Sequence, residues 1–225
     1  MPLDTLNAIV LISGDDVYED LLGSSAELVE IVSAAGMSTR ARVGLGSFVE
    51  LEQSGQAPDL LILYTAMGEC TPAQQRALSD AVAGGMGILA IHTAVVLPNE
   101  GDSVAPTHRA LFELLGSRYS SHGPQPHESR FTVMLDRGHP ITAGLADFEI
   151  GHEHYRLELG VPEPTVLAWR ETAEGREPLL HVSERGTGRV CYLQLGHDMR
   201  VWHEPTVRAL IARAIEWTRR GGSEE

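Results

Sequence analysis

Four histidine-bearing segments hold the residues of this chain best suited to chemistry. The run Gly84-Gly85-Met86-Gly87-Ile88-Leu89-Ala90-Ile91-His92-Thr93-Ala94 reads as helix-ending glycines, an apolar strand and then its first polar side chain, His92. Such an apolar run suits a strand covered on both faces, and the carboxyl end of that strand is where open α/β sheets keep their ligands. Val190 to Gly196 followed by His197-Asp198 repeats the pattern of strand, small residue and histidine. His122 lies in a polar stretch, and His152-Glu153-His154-Tyr155 forms a dense polar knot. If the knot is extended, alternate members point to opposite sides, pairing His152 with His154 and Glu153 with Tyr155. Glu153 and Tyr155 are the pair expected to face the pocket, because a carboxylate can take a proton, a phenol can give one, and both can hold a sugar hydroxyl.

Two chemistries suit this set. Imidazole carries protons near neutral pH and is the commonest metal ligand. His92, Glu153, His197 and Tyr155 form an acid/base constellation, while His92, His122, Glu153 and His197 are nitrogen and oxygen donors suited to zinc or another divalent transition ion. No His-x-x-x-His or His-Glu-x-x-His pair is present, so metal ligands would have to converge from scattered loops. His122, Asp198 and Trp202 are candidates for contacting substrate, Trp202 by offering a flat face to a sugar ring. Trp217 falls in an amphipathic helix and is expected in the core. His139 precedes Pro140 and reads as structural, and His108, His127, His181 and His203 have no supporting context. Cys70, between Gly68-Glu69 and a helix cap, sits where a thiol pKa can be lowered, but with no partner histidine implied it reads as incidental.

The elements that would position these groups alternate in type. Asn7 to Ser13 reads as a strand ending at Gly14, and the acidic stretch Asp15, Asp16, Tyr18, Glu19, Asp20 after it is placed to rim a pocket. Ser24-Ser25-Ala26-Glu27 has capping-box spacing for a helix running to about Ala35. Ser38 to Val43 and Leu60 to Tyr64 read as strands. Thr71-Pro72-Ala73-Gln74 opens a helix that closes at Gly84-Gly85 and feeds the His92 strand. This alternation predicts a mostly parallel, doubly wound α/β sheet flanked by helices. Beyond it, Thr107 to Leu115 reads as a short helix and Ser117 to Ser129 as a loop. Phe131 to Leu135, Thr165 to Trp169, Leu179 to Ser183 and Arg189 to Leu195 read as strands, with a hairpin turn at Gly186-Thr187-Gly188 that adds antiparallel pairing. Glu204-Pro205 opens a last helix to about Arg219. One domain over residues 1–220 with a frayed tail at 221–225 accounts for the whole pattern.

Composition narrows the partners. With 225 residues, 43% of them hydrophobic, the chain can bury a full core. Its 17 Lys and Arg against 31 Asp and Glu give a net charge of −14, which argues against nucleic acid and anionic membrane surfaces. No apolar run approaches a membrane span and no signal segment is apparent, so a cytoplasmic location is expected. The two cysteines do not make a disulfide framework, whereas the 10 histidines are a marked bias. A small-molecule partner is expected; a homodimer is compatible with an open sheet, though nothing selects its interface.

Taken together, Gly84 to Gly87 leading to Ile91-His92-Thr93-Ala94, Leu114-Leu115-Gly116 with His122, Asp136 to Leu145 through His139-Pro140-Ile141-Thr142-Ala143-Gly144, Glu153-x-Tyr155, and Gly188-Arg189-Val190 to Gly196-His197-Asp198 resemble the ThuA-like trehalose-utilisation family. That family is a branch of the class I glutamine-amidotransferase-like, flavodoxin-like superfamily, and the resemblance spans roughly Leu60 to Trp217. In glutamine amidotransferases the residue on the tight turn after this strand is a nucleophilic cysteine; here His92 holds that place, so glutaminase activity is not expected. The resemblance implies catabolism of trehalose or a related disaccharide, through 3-keto sugars, by acid/base chemistry with or without metal. His92 or Glu153 would be the base, and His197 and His122 the electrophilic partners. A non-catalytic carbohydrate-binding or assembly protein and a zinc-dependent hydrolase are the alternatives. The chain departs from the family pattern at His152, where an acidic residue commonly precedes the glutamate, and at Gly123-Pro124, where proline commonly follows the histidine directly.

Overall fold

A computed structural model describes residues 6–14, 18–66 and 70–219. Its first half runs β1 (Asn7–Ser13), α1 (Leu21–Ala34), β2 (Ser38–Val43), α2 (Gly46–Ser54), β3 (Leu60–Thr65), α3 (Pro72–Ala83) and β4 (Gly87–Ile91). After a 3₁₀ turn at His92–Val95 come β5 (Asn99–Glu100), β6 (Ser103–Val104), α4 (Arg109–Leu115), β7 (Ser117–Ser121), β8 (Glu128–Leu135), β9 (Phe148–Glu153) and β10 (Arg156–Leu159). The chain closes through β11 (Thr165–Thr172), β12 (Gly175–Arg185), β13 (Gly188–Leu193), α5 (Met199–Trp202) and α6 (Pro205–Thr218).

One nine-stranded sheet organises the molecule, in the order β2-β1-β3-β4-β13-β12-β11-β8-β9. The strands from β2 to β13 are mutually parallel, and those from β13 to β9 pair antiparallel. Parallel strands are covered on both faces, and β3 and β4 are buried at every residue. Along β1, Ala8, Val10 and Ile12 pack in one core with α1 and α6, while Ile9 and Leu11 pack in the other with α2, α3 and α4. That division follows the two-residue period of a strand. A Cβ at Gly188 would run into the Val82 carbonyl, so glycine there lets α3 lie close over the start of β13. The flavodoxin-like, amidotransferase-like α/β class expected from the sequence is the one found.

Local chemistry explains the agreements and the misses. Thr71 and Gln74 form a reciprocal capping box with Pro72 in the first turn of α3, and Gly186-Thr187-Gly188 does join β12 to β13 as an antiparallel pair. The start of α1 differs: the helix opens at Leu21, because the Asp20 carboxylate accepts from the Gly23 amide at 2.7 Å one turn ahead of the expected cap. Helix α2 was not expected. Ser117–Ser121, read as loop, pairs antiparallel with β10, and β9, also unexpected, pairs with β8 from Glu128↔Glu153 to Val133↔Phe148. These segments are polar and half-exposed, so their strand character comes from partners far along the chain. Asp15, Asp16 and the 221–225 tail lie outside the described residues.

A histidine that sequence context left aside is part of this framework. His181 on β12 is 1% exposed, bonds Ser117 Oγ through Nε2 at 2.8 Å and packs against the Tyr192 ring. Burial, helped by the Arg185 charge, pushes its pKa down to about 3. A folded pKa below the unfolded value of about 6.5 means that its stabilisation is complete above pH 6.5 and is lost as pH falls toward 3, at up to about 1.4 kcal/mol per unit. Urea unfolding at pH 7, 6 and 5 should therefore show stability falling with acidity, with a slope about one proton shallower in His181→Gln.

Candidate functional site

The site is built at the carboxyl ends of the strands, with His92 at its centre. Strand β4 ends at Ile91, and His92 follows with φ 47°, the sole positive-φ residue other than glycine among the described residues. A left-handed non-glycine residue costs on the order of 1–3 kcal/mol and is tolerated where surrounding contacts enforce it. Here the His92 carbonyl accepts from Tyr192 Oη at 3.1 Å, and His92 Nδ1 lies 2.9 Å from the Gln194 carbonyl. A Cβ at Gly196 would sit 2.8 Å from Ile91 Cγ2 and 3.2 Å from His92 Cβ, so the loop after β13 needs glycine to pass this turn. The ring is fully buried, stacked on Tyr155 at 4.5 Å with 16° between planes.

Glu153 arrives at the end of β9. Its Oε1 accepts from His122 Nε2 at 2.8 Å, and His122 Nδ1 accepts from Tyr119 Oη at 2.6 Å, which fixes that imidazole as the Nε2–H tautomer. Its Oε2 is left facing His92 Nε2 at 3.2 Å and His197 Nδ1 at 3.4 Å. Glu19, just before α1, places Oε1 3.9 Å from each of the same two nitrogens. The ligand atoms of Glu19, His92 and His197 all lie within 4.8 Å of one another.

The loop carrying His197 is pinned from above and below. The Gly196 carbonyl accepts from Tyr64 Oη at 2.8 Å and Trp202 Nε1 at 3.0 Å. The Gly196 and His197 amides donate to His152 Nε2 at 3.1 and 3.2 Å, while His152 Nδ1 donates to the Glu153 carbonyl at 2.6 Å. Gln194 Nε2 adds a second bond to that carbonyl at 3.3 Å.

This hydrogen bonding dictates the electrostatics. A carbonyl can only accept, so the proton of a neutral His92 belongs on Nδ1 and Nε2 presents a bare lone pair. His92 Nε2, Glu153 Oε2 and His197 Nδ1 are buried and have no hydrogen-bond partner. Burial drives His92 toward its neutral form, against the pull of Glu153. Burial alone would raise the Glu153 pKa, but the neighbouring imidazoles of His92, His197 and His122 outweigh it and hold the carboxyl down at about 2. These two tendencies compete, since Glu153 draws on charge that burial denies His92. The ionised carboxylate is the firmer of the two, because His122 supports it independently. His92 Nε2, bare, faces the Glu153 carboxylate across 3.2 Å, a repulsion that positive charge between them would relieve. A tetrahedral zinc ion, with bonds of roughly 2.0–2.1 Å, sets its ligand atoms roughly 3.3 Å apart, so these donors fit a divalent cation in both chemistry and spacing.

A mostly parallel α/β sheet flanked by helices, with a strained histidine at the carboxyl end of a central strand, defines a flavodoxin-like α/β protein. More narrowly, the chain belongs to the ThuA family, described as trehalose utilisation, whose sequence profile matches residues 38–218. Among solved structures it is similar to a ThuA-like protein of Parabacteroides merdae, at 16% identity and a TM-score of 0.70 over 99% of this chain and 92% of that one. It is also similar to a cytoplasmic protein of Salmonella typhimurium, at 12% identity and 0.62 over 95% and 100%. A β-galactosidase of Bacillus circulans matches at 13% identity and 0.60, over 94% of this chain and 31% of that larger one. Among curated proteins there is no significant match.

The structure brings His92, Glu153, His197, Tyr155 and His122 together. It gives His122 a different place from that of a ligand beside His92, because its Nε2 is engaged by Glu153 Oε1. Asp198 instead caps α5 and binds Arg200 at the surface. Trp202 cannot serve as a platform for sugar: it is 1% exposed, edge-on to Tyr64 and bonded to the Gly196 carbonyl. Cys70 is buried and its thiol pKa is pushed up to about 11 by burial, with Glu52 adding to it, so the lowered pKa suggested by its sequence setting is not found. His152 does not turn away with His154, which bonds Ser129 instead. His152 Nε2 accepts the Gly196 and His197 amides of the loop after β13. Glu19, Tyr119 and Gln194 were not singled out as site residues. The acidic stretch assigned to a pocket rim was the one signal that pointed to Glu19. With Trp202 in the core, Trp202→Ala should lower unfolding free energy by about 3–5 kcal/mol in chemical denaturation.

Proposed function

We propose that this ThuA-family protein is an enzyme of sugar metabolism that moves a proton next to the carbonyl of a sugar or 3-keto disaccharide, in an isomerisation or elimination. The observation that carries this reading is the convergence of His92 Nε2, His197 Nδ1 and Glu153 Oε2, buried and unpartnered, at the carboxyl end of the sheet. His92, His197, Glu153 and Glu19 would hold a divalent ion. Two neutral imidazoles and two carboxylates balance such an ion in charge. When bound, it would act as a Lewis acid toward a substrate carbonyl.

The chain's own residues divide the remaining work by exposure. His92 is sealed and stacked under Tyr155, which suits holding better than proton transfer. Its Nδ1 bond to Gln194 orients the ring, as the outer partner of a ligating histidine does. With a pKa near 2, Glu153 is a poor proton acceptor at neutral pH and acts through its charge. His122, 32% exposed, and His197, 22% exposed, are the imidazoles within reach of substrate. Tyr119, His122 and Glu153 form a hydrogen-bonded row along which a proton can be delivered at the mouth of the site. The family's place in trehalose utilisation supports a carbohydrate as substrate, and a cytoplasmic location agrees with that role. With an imidazole at the elbow, glutamine hydrolysis through a thiol ester is not part of this reading.

The test is proton exchange. Wild-type protein in D₂O should introduce deuterium next to the carbonyl of an oxidised disaccharide, read by NMR. His92→Ala and His122→Ala should retain the near-UV circular dichroism of the wild type and lose about 10²–10⁴-fold in exchange rate. Elemental analysis of protein purified without chelator should find close to one divalent metal ion per chain, with Glu19→Gln reducing that occupancy. Sugar binding without exchange would point instead to a binding protein, and glycosidic cleavage to a hydrolase. Full activity in metal-free protein would remove the ion from the reading.

A further inference from the structure

We infer that His152 is a positioning residue, a neutral double acceptor that sets the Gly196-His197 backbone so that His197 Nδ1 faces His92 and Glu153. The inference rests on the cation site proposed above. His152 is 1% exposed, at the penultimate position of β9, and its ring lies edge-on to that of His92 at 5.3 Å. Both ring nitrogens are committed. Nδ1 donates to the Glu153 carbonyl at 2.6 Å, and Nε2 accepts the Gly196 and His197 amides at 3.1 and 3.2 Å. This pattern allows a single tautomer, Nδ1–H, and no charge.

Its consequence is mechanical. The loop after β13 carries His197, and the end of β9 carries Glu153, but these strands are not neighbours in the sheet. His152 joins them, with Gln194 Nε2 bonding the same Glu153 carbonyl from the other side. Tyr64 and Trp202 hold the Gly196 carbonyl, and His152 holds the amides that flank it. The peptide is thereby gripped at both its polar groups, and the direction of the His197 side chain is set by that grip. A neutral acceptor makes this tie without adding a third negative charge beneath Glu19 and Glu153. A lysine or arginine could not replace it, having no acceptor.

The experiment compares wild type, His152→Phe, which keeps a ring without an acceptor, and His152→Asn, which restores a neutral acceptor oxygen. In His152→Phe, the Gly196 and His197 amides should exchange with solvent at least about ten-fold faster than in wild type. Zinc affinity, measured by chelator competition well below the melting temperature, should weaken by about 10–100-fold. His152→Asn should recover most of both. A folded His152→Phe that keeps wild-type amide protection and zinc affinity, even at a lower melting temperature, overturns the inference by reducing His152 to filler. If His152→Phe does not fold, long-range ¹H–¹⁵N spectra of the wild type decide, since a protonated Nε2 at pH 7 is incompatible with the proposed tie. Wild-type protein that binds no zinc defeats the cation-site reading instead, and the exchange and tautomer measurements still judge His152.

Discussion

Three lone pairs directed into one buried space govern the carboxyl end of this sheet. His92 Nε2 and His197 Nδ1 approach Glu153 Oε2 to 3.2 and 3.4 Å, and none of the three atoms has a hydrogen-bond partner. In water each would be solvated, but here burial removes that option and leaves mutual repulsion unless positive charge sits among them. The protons that could relieve the repulsion are committed elsewhere. That of His92 points to the Gln194 carbonyl, and that of His122 to the other oxygen of Glu153. These orientations are the ones on which the proposed cation site rests.

The scaffold carries the cost of that arrangement. His92 adopts a left-handed conformation immediately after the fully buried β4, and the packed parallel strands on either side of β4 supply rigidity against which such strain can be held. Glu153 comes from the far edge of the sheet, five places from β4 in strand order. It nevertheless meets His92, its Oε2 lying 3.2 Å from Nε2, so the far end of the sheet is brought back to the end of β4. His152, Gln194, Tyr64 and Trp202 then knit that edge to the loop after β13. Their bonds are mostly to backbone, so what they set is the path of the chain, and through it the direction of His197.

The first half of the fold was legible because its signals are local. Thr71-Pro72-Ala73-Gln74 caps a helix by its own chemistry, and the apolar run before His92 can only be a covered strand. Strands β7 and β9 were not legible, because Ser117–Ser121 and Phe148–Glu153 are mixed in polarity and become strands through pairing with distant β10 and β8. The same contrast divides the site. His92 and His197 follow recognisable strands, and Glu153 stands in a recognisable polar knot. Trp202 stands close after His197 in sequence, which suggests a face for substrate, whereas its neighbours in space are Tyr64 and the Gly196 carbonyl.

By itself the sequence determined which residues could do chemistry and the kind of sheet that would present them, because residue type, strand period and capping are properties of short segments. Only the tertiary structure decided how those residues are used. It made His122 the partner of Glu153, brought Glu19 from the end of an acidic stretch to face two imidazoles, and turned His152 into a tie between strand ends. Those assignments depend on which atom of each side chain meets which partner across gaps of tens of residues. Hydrogen-bond direction and burial settle that, and neither exists until the chain has closed on itself.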